Sequence, residues 1–140
     1  MLDRLRQVAF LVNDVQDASQ LYQRVLGLKP SSSQDLPEYG LTSQALPTGG
    51  DTFIELLQPT ADDSAAARYL HRRGEAPYLL TFQTSDYDRL IPHLKSLDVA
   101  ISAEVEHSGH RSASPLVRQR NAARNRRGFA SAQLLAAGRS

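Results

Sequence analysis

Cysteine and tryptophan are absent from these 140 residues, and methionine occurs once. Without thiols there are no disulfide staples, thiolate metal sites or cysteine nucleophiles. No apolar run approaches the roughly 20 residues that a membrane helix needs. The opening MLDRLRQ lacks the apolar stretch of a signal peptide, so the cytoplasm is the expected location. Acids are missing as well, but only from one end. Residues 1–106 hold all fifteen Asp and Glu against nine Lys and Arg, a net charge of −6. Residues 107–140 hold seven Arg, no Lys and no acid, a net charge of +7. Such a shift marks a domain boundary or a basic tail. The segment RQRNAARNRR (118–127) has the charge of a nucleic-acid arm. No aromatic residues interleave it, and specific nucleic-acid binding is not expected.

What is present fits one globular domain: 41% hydrophobic and 22% charged residues in a chain long enough to bury a core. LRQVAFLVND (5–14) reads as a strand closed by Asn-Asp. VQDASQLYQRVLG (15–27) then takes helical spacing, with Val15, Ala18, Leu21, Tyr22, Val25 and Leu26 on one stripe. Asp14 is its expected N-cap and Gly27 its stop. A weak strand and a polar loop follow, then LTSQALP and DTFIELLQP as two strands joined at Thr48-Gly49-Gly50. ADDSAAARYLHRRG (61–74) reads as a short helix capped by Asp62 or Asp63. PYLLTFQTSD (77–86) is a strand, and DYDRLIPHLKSL (86–97) a helix that tolerates Pro92 only if it starts late. DVAISAEVE (98–106) is the last strand the pattern supports. Residues 107–140 are biased to Arg, Ser and Ala and read as a disordered or degenerate basic tail.

A shift of 72 residues lays QVAFLVND (7–14) over LLTFQTSD (79–86), matching Phe10 with Phe82 and Asp14 with Asp86. The helix stripe follows, Tyr22 on Leu94 and Val25 on Leu97. Two strand–helix modules in one α+β domain are therefore expected, 3–59 and 77–106 onward, the second incomplete within a domain of 1–106.

QVAFLVNDVQDASQLYQRVLGLKP, with its YQRVLGL stretch, resembles the opening of the vicinal oxygen chelate superfamily, which includes glyoxalase I, methylmalonyl-CoA epimerase, bleomycin-resistance proteins and extradiol dioxygenases. LPEYG (36–40) and DTFIELLQPTADDSAAARYLHRRGEA (51–76) are similar to the methylmalonyl-CoA epimerase-like branch. The resemblance covers residues 3–104 and implies paired βαβββ modules forming a cup around one divalent metal (Zn, Ni, Co, Mn or Fe). A metal there acts as a Lewis acid on a substrate carbonyl while a carboxylate moves the neighbouring proton. The family takes two ligands from each module. The first-strand ligand falls on Gln7 and the acid-bearing strand puts its ligand at Glu55. In the second module the matching places fall on Leu79 and, 72 residues beyond Glu55, on Arg127, and no acid follows Glu106. The catalytic carboxylate of the epimerase branch falls near Ser43.

Read without the resemblance, Gln7 is an ordinary polar strand residue. Glu55 is costly only if its face, shared with Phe53 and Leu57, is enclosed. His107 and His110, three apart around a glycine, are not the signature of a tetrahedral site and read as a polar loop, while His71 and His93 sit in helices and read as solvated. Ser31 to Ser33 show no triad pattern, and Gly49-Gly50 is a turn. Two functions follow from the resemblance. One is a glyoxalase- or epimerase-type lyase or isomerase acting on a small carbonyl or acyl compound. Gln7 and Glu55 then ligate the metal, with water, His107, His110 or a partner subunit completing the set. The other is a metal-free, bleomycin-resistance-like small-molecule binder, or a degenerate homologue without an intact site. A homodimer is implied in either case, because open sheet edges need covering.

Overall fold

The computed structural model describes residues 1–107, 110–116 and 131–136. Strand β1 (Arg4–Leu11) leads into helix α1 (Val15–Leu26), and β2 (Ser33–Leu36), β3 (Leu41–Gly49) and β4 (Thr52–Pro59) complete a first βαβββ unit. Helix α2 (Ala65–Arg73) links it to β5 (Ala76–Thr84), α3 (Tyr87–Ser96), β6 (Ala100–His107), β7 (His110–Leu116) and β8 (Ser131–Ala136). All eight strands form one sheet in the order β2-β3-β4-β1-β5-β8-β7-β6. β1 and β4 run parallel, as do β5 and β8, and the two units meet along the antiparallel β1–β5 pair.

That seam carries the internal repeat into three dimensions. Gln7 stands opposite Thr81 and Ala9 opposite Leu79. A local twofold that carries Gln7 to Leu79 must carry Thr81 to Ala9, so both pairs obey the 72-residue shift. The helices obey it as well, since α1 starts at Val15 and α3 at Tyr87. The last strands do not. Gln7 is paired with Phe53 on β4, and its counterpart Leu79 is paired with Ser131 on β8, a shift of 78. By the same register the counterpart of Glu55, which pairs with Ala9, is Gln133, which pairs with Thr81. The counterpart is therefore not Arg127, which lies outside the described residues.

Several expectations change locally. Alternation ends at residue 106 in the sequence, yet the sheet takes in β7 and β8 from the stretch read as a tail, giving the second unit four strands. Residues 108–109, 117–130 and 137–140 of that stretch lie outside the described residues. Helix α2 is capped by Ser64, whose hydroxyl accepts from the Ala67 N–H at 3.0 Å, while Asp62 and Asp63 lie in the preceding turn. Pro92 does sit inside α3, which forgoes one backbone bond there. α1 keeps its expected ends, with Asp14 accepting from the Asp17 N–H at 2.9 Å and Gly27 in the left-handed region at φ 67°. Its apolar stripe is wider than its contact, however, and Leu21, Val25 and Leu26 are exposed.

Side-chain alternation sorts the sheet into two faces. On one, Phe10, Ile54 and Leu56 pack with Ala18 and Tyr22 of α1, and Phe82 packs with Leu90 and Ile91 of α3. On the other, Ala9, Leu11, Leu57 and Leu79 pack against Ala66 and Tyr69 of α2, which covers only one end. Beyond that helix the second face turns polar.

Candidate functional site

Four polar side chains share the polar part of the second face: Gln7 on β1, Ser43 on β3, Glu55 on β4 and Thr81 on β5. Gln7, Ser43 and Thr81 are buried, at 9%, 5% and 3% exposure, and Glu55 is half-buried. Their placement follows from the strand registers. Gln7 faces Thr81 directly. Glu55 lies one strand over and two residues along from Gln7, a Cα separation of about 8 Å from strand geometry. Ala9, fully buried, stands between Glu55 and Leu79, and its short side chain keeps the floor between the polar groups low.

Glu55 is anchored by a hydrogen bond in which the Ser43 hydroxyl donates to Oε1 at 2.7 Å. Burial holds the Glu55 carboxyl above the usual carboxylate range, and the Ser43 bond offsets part of that rise. Glu55 has no ion-pair partner among the described residues. Among those residues every other acid is exposed except Asp86, which is ion-paired with Arg89 at the start of α3. A half-buried carboxylate with no balancing cation among the described residues and a raised pKa has the chemistry to exchange a proton or to meet a cationic ligand.

Thr81 was not singled out by sequence reasoning, because a threonine in a strand is ordinary. Its hydroxyl is buried without a hydrogen-bond partner among the described residues. The signal was in the repeat: Thr81 shares a face with Leu79, the counterpart of Gln7, and the seam register sets it against Gln7 itself. The histidines take no part in this cluster by register. His107 pairs with His110 at the turn end of β6 and β7, beyond β8, while His71 and His93 are exposed on helices. A cavity of about 470 Å³ lined by Tyr87, Ile91, Lys95, Glu104 and Arg111 lies on the side of α3, remote from Glu55 by topology.

Residues 6–113 match the model of the Glyoxalase/Bleomycin resistance protein/Dioxygenase superfamily. The chain belongs to that superfamily. The mitochondrial methylmalonyl-CoA epimerase of Homo sapiens is 30% identical over 111 residues, covering 78% of this chain and 62% of the human protein. The ethylmalonyl-CoA/methylmalonyl-CoA epimerase of Cereibacter sphaeroides is 36% identical over 72 residues, covering 51% of this chain and 53% of that protein. The chain thus spans less than two thirds of the length of these curated relatives. In fold it is similar to the methylmalonyl-CoA epimerase of Mycobacterium tuberculosis, with a TM-score of 0.78, 20% identity and coverage of 99% and 90% of the two chains. A Streptomyces coelicolor methylmalonyl-CoA epimerase variant in complex with 2-nitronate-propionyl-CoA gives 0.79, 19% identity, and 99% and 100%. The paired βαβββ architecture expected of the superfamily is the architecture of this chain.

A divalent ion held in the superfamily manner needs donors from both units. The first unit offers the Gln7 amide oxygen and the Glu55 carboxylate. In the second, Leu79 is a hydrocarbon packed into the α2 cluster, and the register puts the neutral residue Gln133 where the counterpart of Glu55 stands. Among the described residues no three His, Cys, Asp or Glu side chains are grouped so as to hold a metal. The described donors do not fit a four-ligand site.

Proposed function

We propose that this member of the superfamily binds an acyl-CoA or related small carbonyl compound against the polar face and moves a proton at the carbon next to the carbonyl. Glu55 is the base in this isomerase- or lyase-type reaction. The observation that carries the reading is the Glu55 carboxylate: half-buried, held by Ser43, and raised in pKa by burial. A base is most effective when its pKa lies close to the working pH, and burial moves Glu55 in that direction. The relatives named methylmalonyl-CoA epimerase support the substrate class.

Ser43 narrows the chemistry. Inversion at a carbon requires a proton to leave one face and another to arrive on the opposite face. With serine near the place of the epimerase carboxylate and Glu55 as the half-buried acid of this face, removal and return from one side is the supported course. Exchange or 1,2-isomerisation is then favoured over inversion. Gln7 and Glu55 serving as ligands of a bound divalent ion is the competing use of the same side chains. A metal-free binder without catalysis is a second reading, favoured by Leu79 at the place of a ligand. A homodimer that covers the edges of β2 or β6 suits either reading.

Methylmalonyl-CoA in D₂O with EDTA present, followed by NMR, separates these readings. The enzyme reading expects deuterium to enter at the α-carbon and Glu55→Gln to slow entry by roughly 10²–10⁴-fold. Binding of methylmalonyl-CoA without deuterium entry, unchanged in Glu55→Gln, supports the binder instead.

A further inference from the structure

The carbonyl oxygen of the bound compound needs a partner for the negative charge it gains, and the described residues do not complete a metal site. We propose that the Thr81 hydroxyl and the Gln7 side-chain amide form a neutral two-donor cradle for that oxygen. This proposal rests on the proton-transfer reading of Glu55.

Three observations meet at this row of the sheet. The Thr81 hydroxyl is buried and has no hydrogen-bond partner among the described residues, a condition that leaves its desolvation cost unrecovered. Gln7, its direct register partner, is also buried, and its amide has no side-chain hydrogen bond to the described residues. An acceptor atom lying between them would satisfy the Thr81 hydroxyl and take a second hydrogen bond from the Gln7 amide. The third observation is the neighbourhood. Leu79 and Ala9 supply apolar surface on one side, and Glu55 lies diagonal to Gln7. In such a setting neutral donors act strongly on developing charge, because little water competes. Ser43 is already committed to Glu55, so the seam pair Thr81 and Gln7 are the donors taken for this role.

The step balances without a co-reactant. Glu55 takes the α-proton as the C–H pair becomes the C=C bond of an enolate, and the carbonyl π pair moves onto oxygen. Thr81 O–H and Gln7 N–H donate to that oxygen. The reverse flow returns the proton from Glu55 to carbon.

Thr81→Val keeps the shape and removes the donor, and Thr81→Ser restores it. The probes are 2-nitronate-propionyl-CoA, whose nitronate is planar and anionic like an enolate, and coenzyme A, which lacks the acyl group. In buffer with EDTA the wild type is expected to bind the nitronate. Thr81→Val should weaken that binding about tenfold or more while coenzyme A binds unchanged, Thr81→Ser should recover most of it, and Gln7→Leu should act like Thr81→Val. Thr81→Val should also raise the thermal midpoint, since an unpaired buried hydroxyl is gone, whereas a threonine bonded within the fold would lose stability. Nitronate binding by Thr81→Val equal to wild type overturns the cradle. Deuterium exchange that EDTA abolishes and zinc restores also overturns it, in favour of Gln7 and Glu55 as ligands of a divalent ion. If the wild type binds neither thioester and exchanges nothing, the functional reading fails together with the cradle.

Discussion

Glu55 carries a carboxylate that is half-buried on the sheet and held by the Ser43 hydroxyl. Its odd position, one acid in the apolar run FIELL, is legible from the sequence, and the sheet places it on the partly enclosed face with Gln7. Its pairing with Ser43 is not legible, because two strands must be put in register before the hydroxyl meets the carboxylate. Thr81 is less legible still, since only the seam register reveals that it faces Gln7. The raised pKa of Glu55 has a consequence for stability. The folded state holds the proton more tightly than the unfolded chain, so Glu55 contributes most below the ordinary glutamate range. That contribution is lost as pH rises through the raised value. Denaturant titrations of wild type and Glu55→Gln should therefore diverge as pH rises above the ordinary range, with the variant the more stable at neutral pH. A wild type that gains stability relative to the variant over that span would contradict the burial account.

At the scale of elements, periodicity was the reliable signal, while the width of a stripe and the choice of cap residue were not. Asp14 and Gly27 bound α1 as their chemistry dictates, yet Leu21, Val25 and Leu26 are exposed, because one helix face meets the sheet and apolar residues beyond it have nothing to touch. For α2, acids and serine compete for the N-cap, and the backbone settles on Ser64. Ser64→Ala and Asp14→Ala should each destabilise by about 1 kcal/mol in urea titrations, whereas Asp62→Ala and Asp63→Ala should be close to neutral. Leu56, fully buried between β4 and α1, should cost about 2–5 kcal/mol on truncation to alanine. Val25→Ala should cost far less, since that side chain is 66% exposed.

At the scale of the whole molecule, the repeat was legible in its first half and lost in its second. The 72-residue shift is carried by β1 and β5 and by α1 and α3, elements with dense apolar patterns. The longer chain between β7 and β8 moves the last strand to a shift of 78. A fixed offset therefore lands on Arg127 and misses Gln133, and a strand without alternation, such as SAQLLA, gives composition nothing to report. The sheet order makes β8 the outer neighbour of β5. Hydrogen exchange should then protect β5 amides on both sides of the strand. A chain ending at residue 107 should lose that protection and the cooperative unfolding of the full chain. Unchanged exchange in the shortened chain would show that β8 does not pair with β5.

The central claim, that this face moves a proton through Glu55, is tested most directly by NMR of methylmalonyl-CoA in D₂O with EDTA present. Wild type should place deuterium at the α-carbon, and Glu55→Gln should do so at least a hundredfold more slowly while binding coenzyme A equally well. Equal rates in the two proteins would contradict the claim.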